Sequence, residues 1–136
     1  MFQITPSEFK FTVENECCKL ATSFEDRPHV VPVSYIYESN LFYISTDYNT
    51  KKLFNINKNP NVSLAIDIYE PNQNKGIVVN GKGKIIESGQ IYNKIYLIFY
   101  NKFEWVRNDP WKEGAAPFIE IKPYAKTSWG INWFEH

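Results

Sequence analysis

A pattern suited to phosphate binding lies in the segment STDYNTKKLFN, residues 45–55. The hydroxyls of Thr46 and Thr50 precede two adjacent lysines, Lys51 and Lys52, where the residue pattern predicts the start of a short helix. The first backbone amides of a helix have no partner within it, and they attract anions together with the positive end of the helix dipole. Hydroxyls, ammonium groups and free amides in this order predict a phosphate site. The alternative is that the lysines form a solvated helix face.

The composition permits one core and gives the chain no overall charge. A chain of 136 residues buries about two-thirds of the surface that its unfolded form exposes, so we expect a single domain over residues 1–136. Fifteen basic and fifteen acidic residues give a formal net charge of zero. No global field therefore favours nucleic acid, a membrane or an acidic substrate, and we expect none of these as partners.

Cysteine, histidine and hydropathy patterns narrow the chemistry further. Cys17 and Cys18 point to opposite faces of a predicted strand, which argues against a disulfide or a metal pair. His29 begins a predicted strand and is either a structural group or a proton carrier. The residues MFQITPSEFK lack the apolar core of a secretory signal and no run is long enough to span a bilayer, so a cytoplasmic location is expected.

The first half of the chain predicts alternating strands and short helices. Thr5, Pro6 and Glu8 match a capping box with proline at the first helical position. Pro32 lies inside the second strand and cannot donate to a ladder, which predicts an edge or irregular strand whose backbone groups are left for a partner such as a ligand. The expected elements are a helix from Pro6 to about Asn15, strands at 17–24, 29–38 and 41–45, and a helix from Asn49 or Thr50 to Lys58.

The second half predicts further strands around one longer helix. Two glycines, Gly81 and Gly83, share a strand face and leave a bare patch for a helix, a barrel bend or a ligand. The expected elements are strands at 62–69, 76–87, 117–121 and 126–131, a loop at 70–75, and a helix at 90–107 that buries Ile91, Ile95, Ile98 and Phe99. Six or seven short strands with two or three helices favour a mainly β protein, a small antiparallel barrel.

Four segments together resemble the FMN-binding split β-barrels related to pyridoxamine 5′-phosphate oxidase. They are KLATSFEDRPHVVPVSYIYE, YISTDYNTKKLFNINKNPNVSLAI, VVNGKGKIIE and FIEIKPYAKTSW, and with their spacing they cover nearly the whole chain. The resemblance implies a single FMN-binding split-barrel domain that forms a homodimer, with FMN at the subunit interface.

The resemblance also implies which residues bind the cofactor. The strand from His29 to Ser34 would run along the isoalloxazine, with Val31 and Val33 alternatively in the core. Asn80 takes the place of a polar side chain that is frequently Gln in relatives, and Trp129 matches a late Trp from the partner subunit or caps the barrel floor. The implied cofactor-binding residues are His29, Val30, Val31, Pro32, Val33, Ser34, Ser45, Thr46, Thr50, Lys51, Lys52, Asn80 and Trp129.

The chain departs from authentic pyridoxamine phosphate oxidases, which are longer and end in an arginine-containing motif, because it has no arginine after Arg107. It more closely resembles the short general-stress and nitroimidazole-reductase-like members. The implied function is an FMN-dependent oxidoreductase with a small-molecule electron donor and acceptor, no metal and no assigned catalytic residue. The alternatives are a non-catalytic flavin-binding or sensing protein, a plain interaction module, or a relative that binds deazaflavin or haem. Tyr48, Trp105 and Trp111 either line a substrate pocket or pack.

Overall fold

The computed structural model describes residues 2–132, and in this range six antiparallel strands close into a barrel accompanied by four helices. The strands are β1 (Cys17–Phe24), β2 (Arg27–Glu38), β3 (Leu41–Ser45), β4 (Asn61–Glu70), β5 (Gln73–Ile86) and β6 (Phe118–Trp129). The helices are α1 (Pro6–Glu14), α2 (Lys51–Lys58), α3 (Gln90–Lys102) and α4 (Glu104–Asn108). The order around the barrel is β1-β2-β3-β6-β5-β4, and β4 pairs with β1 to complete the ring. The predicted mainly β split barrel is confirmed, with one helix more than expected.

Local sequence signals set the first elements. The capping box at Thr5 is present, since its hydroxyl accepts the Glu8 amide and the Glu8 carboxylate accepts the Thr5 amide. The two-residue turn after β1 places Glu25 and Asp26 at φ values of 51° and 61°, the left-handed backbone of a tight hairpin. The predicted helix start is therefore confirmed, and the strands predicted at 17–24 and 29–38 form a hairpin in which the second strand begins two residues earlier, at Arg27.

The connection between β4 and β5 corrects the predicted loop at 70–75. The two strands pair as far as Glu70 opposite Gln73, so only Pro71 and Asn72 form the turn. The side chains of residues 69–74 are exposed on both faces of this hairpin tip, so no polar and apolar alternation marks the strands there.

The end of the chain forms one strand, β6, where the sequence predicts two. The pairing register with β5 shifts between Asn80 and Gly81, and Tyr124 lies at this bulge without a partner residue. The bulge interrupts the alternation of buried and exposed residues that identifies a strand, so the residue pattern predicts two strands in place of one. A Cβ on Gly81 would lie 2.7 Å from the Lys122 carbonyl oxygen, which fits the predicted barrel bend.

The predicted helix at 90–107 is divided at Phe103 into α3 and α4. The buried face of α3 consists of Tyr92, Ile95 and Phe99, whereas Ile91 is exposed. Tyr92 tolerates burial because its hydroxyl donates to the Ala116 carbonyl at 2.5 Å. The predicted buried face of this helix was thus wrong at its first position, where Tyr92 is buried in place of Ile91.

Two apolar clusters hold the elements together. One fills the barrel and includes Leu53 and Ile56 of α2, which packs against β1 and β5. Ile56 lies against Gly83, where a Cβ would come 3.2 Å from its Cγ2 atom, so the bare patch also receives a helix. The other cluster lies between the outer face of the sheet and helices α3 and α4. Within residues 2–132, no helix has the length and apolarity needed to cross a membrane.

Candidate functional site

The predicted phosphate site lies at the turn from β3 into α2. Asn49 adopts a φ of 63°, a left-handed conformation that asparagine tolerates, and the helix begins immediately afterwards. Thr50 occupies the N-cap position, yet its side chain accepts no capping hydrogen bond, and the first turn of α2 contains no acidic residue. The positive end of the helix dipole is therefore not compensated by a side chain of its own first turn.

Two hydroxyls are held together beside this helix start. Thr46 and Thr50 both donate to the carbonyl oxygen of Asp47, at 3.2 and 3.1 Å, and their oxygens lie 3.4 Å apart. Thr46 is buried, so the pair is fixed on the structured side of the turn. A hydroxyl can rotate to donate to a new acceptor, and both groups can therefore turn toward an anion.

The two lysines differ in burial but share the lack of a partner. Lys51 is exposed and Lys52 is half-buried. Among the ion pairs formed by the described residues, none involves either ammonium group. Burial lowers the pKa of Lys52, and the nearby carboxylate of Asp47 offsets part of this effect. A desolvated ammonium without a partner is stabilised when an anion binds.

The barrel splits next to this turn and leaves one edge of β2 open. Residues 35–38 of β2 pair with β3, and the next pair in register would join Ser34 to Ser45. The β2–β3 pairing ends at Tyr35 opposite Ile44, so from Ser34 back to Arg27 the strand has only β1 as a neighbour within the described chain. The edge strand predicted from Pro32 is confirmed.

The register shows which backbone groups point out of this edge. The amide of Tyr35 donates to the Glu16 carbonyl at 3.1 Å, so residues 35, 33, 31 and 29 direct their backbone groups toward β1. The alternate residues Val30, Pro32 and Ser34 direct theirs away from β1. Val30 and Ser34 thus present an amide and a carbonyl each at the edge, and Pro32 presents only a carbonyl.

The side chains of the same strand divide between the core and the surface. Val31 and Val33 pack in the barrel core, so their side chains are not available to a ligand. Val30 is 65% exposed and Pro32 is also exposed. His29 pairs with Thr22 and is half-buried, and its buried Nδ1 atom has no hydrogen-bond partner in the described structure. A buried polar atom without a partner is costly, so this position suits a bound group with a complementary polar atom.

Asn80 and Trp129, two further residues of the predicted cofactor site, lie on the outer face of the barrel. Asn80 is exposed on β5. The Trp129 indole covers Gly76, where a Cβ would come 2.5 Å from the ring, and its Nε1 donates to the Asn74 side-chain oxygen at 2.9 Å. Within one chain, the structure does not join these two side chains to the helix start.

A pocket of about 850 Å³ runs along α2, a volume typical of small-molecule sites. The sequence predicted Thr50 and Lys51 in this position, and Tyr48 is the one candidate pocket aromatic that lines it. The sequence did not indicate Phe24, Arg27 or Phe54 as pocket residues. The position of Phe54, four residues and one helical turn after Thr50, was a signal that could have indicated it. The lining residues are Phe24, Arg27, Tyr48, Asn49, Thr50, Lys51, Leu53, Phe54, Asn55 and Asn57.

The remaining candidate aromatics belong to the helical layer. Trp111 packs against the apolar cluster beneath α3, and its Nε1 donates to the Tyr92 hydroxyl at 2.8 Å. Trp105 stacks on Trp111 with ring centroids 6.1 Å apart. Neither residue lines the pocket along α2, so their packing role accounts for them.

A family model, pyridoxamine 5′-phosphate oxidase, matches residues 5–126, and the chain therefore belongs to this family. A search of curated proteins found no match.

Solved structures share the fold at low identity. HutZ, the haem storage protein from Vibrio cholerae, superposes with a TM-score of 0.81 at 14% identity over 96% of this chain and 97% of its own. An FAD-binding protein from Mesorhizobium loti gives 0.71 at 22% identity over 93% and 94%. General stress protein 26 from Bacillus anthracis gives 0.69 at 21% identity over 90% of each chain.

Proposed function

We propose that this protein is a flavin-dependent oxidoreductase that binds FMN, free or as the flavin half of a larger cofactor. The observation that carries the proposal is the pair Lys51 and Lys52, which form no ion pair among the described residues, at the start of a helix whose first turn contains no acidic side chain. An FMN phosphate is a dianion, and it fits this set of ammonium groups, hydroxyls and free amides. Family membership supports the same reading.

The open edge of β2 suits the other end of the cofactor. The polar edge of a flavin ring both donates and accepts hydrogen bonds, as do the outward backbone groups of Val30 and Ser34. The partnerless Nδ1 atom of His29 lies on the same strand. When bound, the flavin supplies hydride or single-electron transfer, and the residues of this chain bind it, orient it and exclude water.

The proposal includes a homodimer in which the cofactor lies between two subunits. Burial of exposed apolar side chains favours association, and Val30 is 65% exposed beside the open edge of β2. The outer barrel face that bears Asn80 and Trp129 would then reach the cofactor of the partner subunit. A cytoplasmic location and small-molecule electron donors and acceptors complete the proposal.

Flavin titration tests the phosphate site. Purified protein should be yellow or should take up FMN, and Lys52→Ala should weaken FMN binding roughly 10- to 100-fold, the range for a hydrogen bond to a charged group. Riboflavin lacks the phosphate, so its affinity should not change in this variant. Lys10→Ala on α1 provides the matched lysine control. A colourless protein that fails to bind FMN contradicts the proposal.

Turnover separates an enzyme from a storage or sensing protein. We expect NADH or NADPH to reduce the bound flavin, and a nitro compound or quinone to reoxidise it. A flavin that neither donor reduces favours storage or sensing. The similarity to HutZ, named as a haem storage protein, makes haemin the comparison ligand, and preferential haemin binding would displace flavin from the proposal.

A further inference from the structure

We infer that the pocket along α2 binds the adenosine monophosphate half of FAD, so that this chain prefers the dinucleotide flavin to FMN. The inference rests on the proposed function, because it assigns a second part of the same cofactor.

The pocket extends away from the residues proposed to hold the flavin ring. It contains Thr50 and Lys51 at the helix start, and of the open-edge residues 27–34 only Arg27, at the hairpin end of the strand, lines it. It continues along the helix to Asn57, seven residues and about 10 Å beyond Thr50. A phosphate at the helix start therefore leaves most of the 850 Å³ for a further group attached on the side opposite the ring.

The charge of the pocket favours a second phosphate. Of its ten lining residues, Lys51 and Arg27 are basic and none is acidic, in a chain whose formal net charge is zero. Arg27 contacts Glu25 at 3.4 Å, but both side chains are exposed and such a pair is weak. The guanidinium is thus available to a pyrophosphate that begins at Lys51, and its planar fork suits phosphate oxygens.

One helical turn beyond Thr50, the pocket has an aromatic wall on which a purine can stack. Phe24 and Phe54 meet edge to face at a centroid distance of 5.4 Å, and Phe54 is 51% exposed on the surface of the helix. Lys58 lies over the Phe54 ring at 6.0 Å, which adds a cation beside the same wall. Asn57 is exposed nearby, and its amide can both donate and accept, as the edge of adenine requires.

Binding measurements with FMN and FAD test the inference on the full-length protein. Wild-type protein should bind FAD at least tenfold more tightly than FMN, because the adenylate adds stacking and one charged contact. Phe54→Ala should lose roughly tenfold in FAD affinity, the scale of base stacking on an aromatic side chain, and little in FMN affinity. Arg27→Gln should show the same selectivity.

The matched control is Phe9→Ala, which removes another exposed helical Phe that packs edge-on against an aromatic ring, Tyr37 at 6.1 Å. It should leave both affinities unchanged. Unchanged FMN binding by Phe54→Ala also verifies that this variant is folded.

The outcomes separate the two proposals. Equal affinity of the wild-type protein for FMN and FAD overturns the inference and leaves the flavin proposal intact. An equal loss of both affinities in Phe54→Ala also overturns it, because the pocket then serves the FMN unit itself. Failure of both flavins to bind overturns the inference together with the proposed function.

Discussion

Replacing Glu8 with glutamine should destabilise the fold by about 3 kcal/mol at neutral pH. The Glu8 side chain is only 2% exposed, and its carboxylate forms an ion pair with Lys126, whose side chain is 25% exposed. It also accepts hydrogen bonds from the Thr5 amide at 2.9 Å, the Ser128 hydroxyl at 2.5 Å and the Asn132 amide group at 3.3 Å. These contacts join α1 to the end of β6.

The magnitude follows from the pKa of this carboxyl group. Burial alone would raise it, but the ion pair with Lys126 and the hydrogen bonds outweigh burial and lower the pKa from 4.5 to about 2. A carboxyl group whose pKa falls this far on folding contributes roughly 3 kcal/mol of stability. Because the folded pKa is the lower one, the contribution is complete above pH 4.5 and is lost as the pH falls toward about 2.

Urea unfolding at fixed protein concentration, followed by tryptophan fluorescence from pH 7 down to pH 2.5, measures the effect. The difference between wild type and Glu8→Gln should be about 3 kcal/mol at pH 7 and should shrink below pH 4.5. Glu14→Gln is the control, since this carboxylate on the same helix is 58% exposed and meets Lys10 only at 3.9 Å. A loss below about 1 kcal/mol, or one that does not change with pH, would refute the reasoning.

Two further substitutions test packing interactions, one beside the pocket along α2 and one on the outer face of the barrel. Asn55→Ala should lower the free energy of unfolding, measured in urea, by about 1–3 kcal/mol, because the buried Thr22 hydroxyl loses the Asn55 amide group that donates to it at 3.0 Å. Asn57→Ala is the control and should change this free energy little, because Asn57 is exposed. Gly76→Ala should cost about 1–3 kcal/mol, since its Cβ would lie 2.5 Å from the Trp129 ring and 2.8 Å from the Ile66 carbonyl oxygen. Trp129→Ala in the same chain should recover the part of the loss due to the ring, and no recovery would exclude the ring as a cause.

Elements specified by neighbouring residues were predictable from the sequence. Thr5, Pro6 and Glu8 are close in sequence, and the helix they start has the predicted capping box. Alternation along residues 17–24 predicts that Cys18, Leu20, Thr22 and Phe24 share one face of β1; the first three side chains are buried and Phe24 is half-buried. In each case a few adjacent residues determine the structure, so no tertiary information was needed.

Elements that depend on distant contacts were not predictable. The burial of Tyr92 depends on Ala116 and Trp111, which lie beyond the helix in sequence. The continuity of β6 through Tyr124 depends on β5, because β5 supplies the pairing on both sides of the bulge. Local propensity contains no information about such partners.

The candidate site divides in the same way. Thr46, Thr50, Lys51 and Lys52 lie within seven residues, so the sequence alone indicated a possible phosphate site. The pocket beside them requires the β1–β2 hairpin to bring Phe24 and Arg27 against α2, which is a tertiary contact. The sequence could therefore indicate a binding site for one phosphate, but it could not show that a pocket continues beyond that site.

Pro32 affects how the open edge of β2, at the split in the barrel, can pair with another strand. An unpaired strand with a full row of amides and carbonyls invites another strand to complete it. Pro32 lies in the middle of the outward-directed set Val30, Pro32 and Ser34 and removes the central amide, so a regular ladder cannot form there. The two amides that remain on either side are separated by four residues, roughly 13 Å of strand. The edge thus disfavours pairing with a strand and leaves the outward amides of Val30 and Ser34 without a strand partner within the described chain.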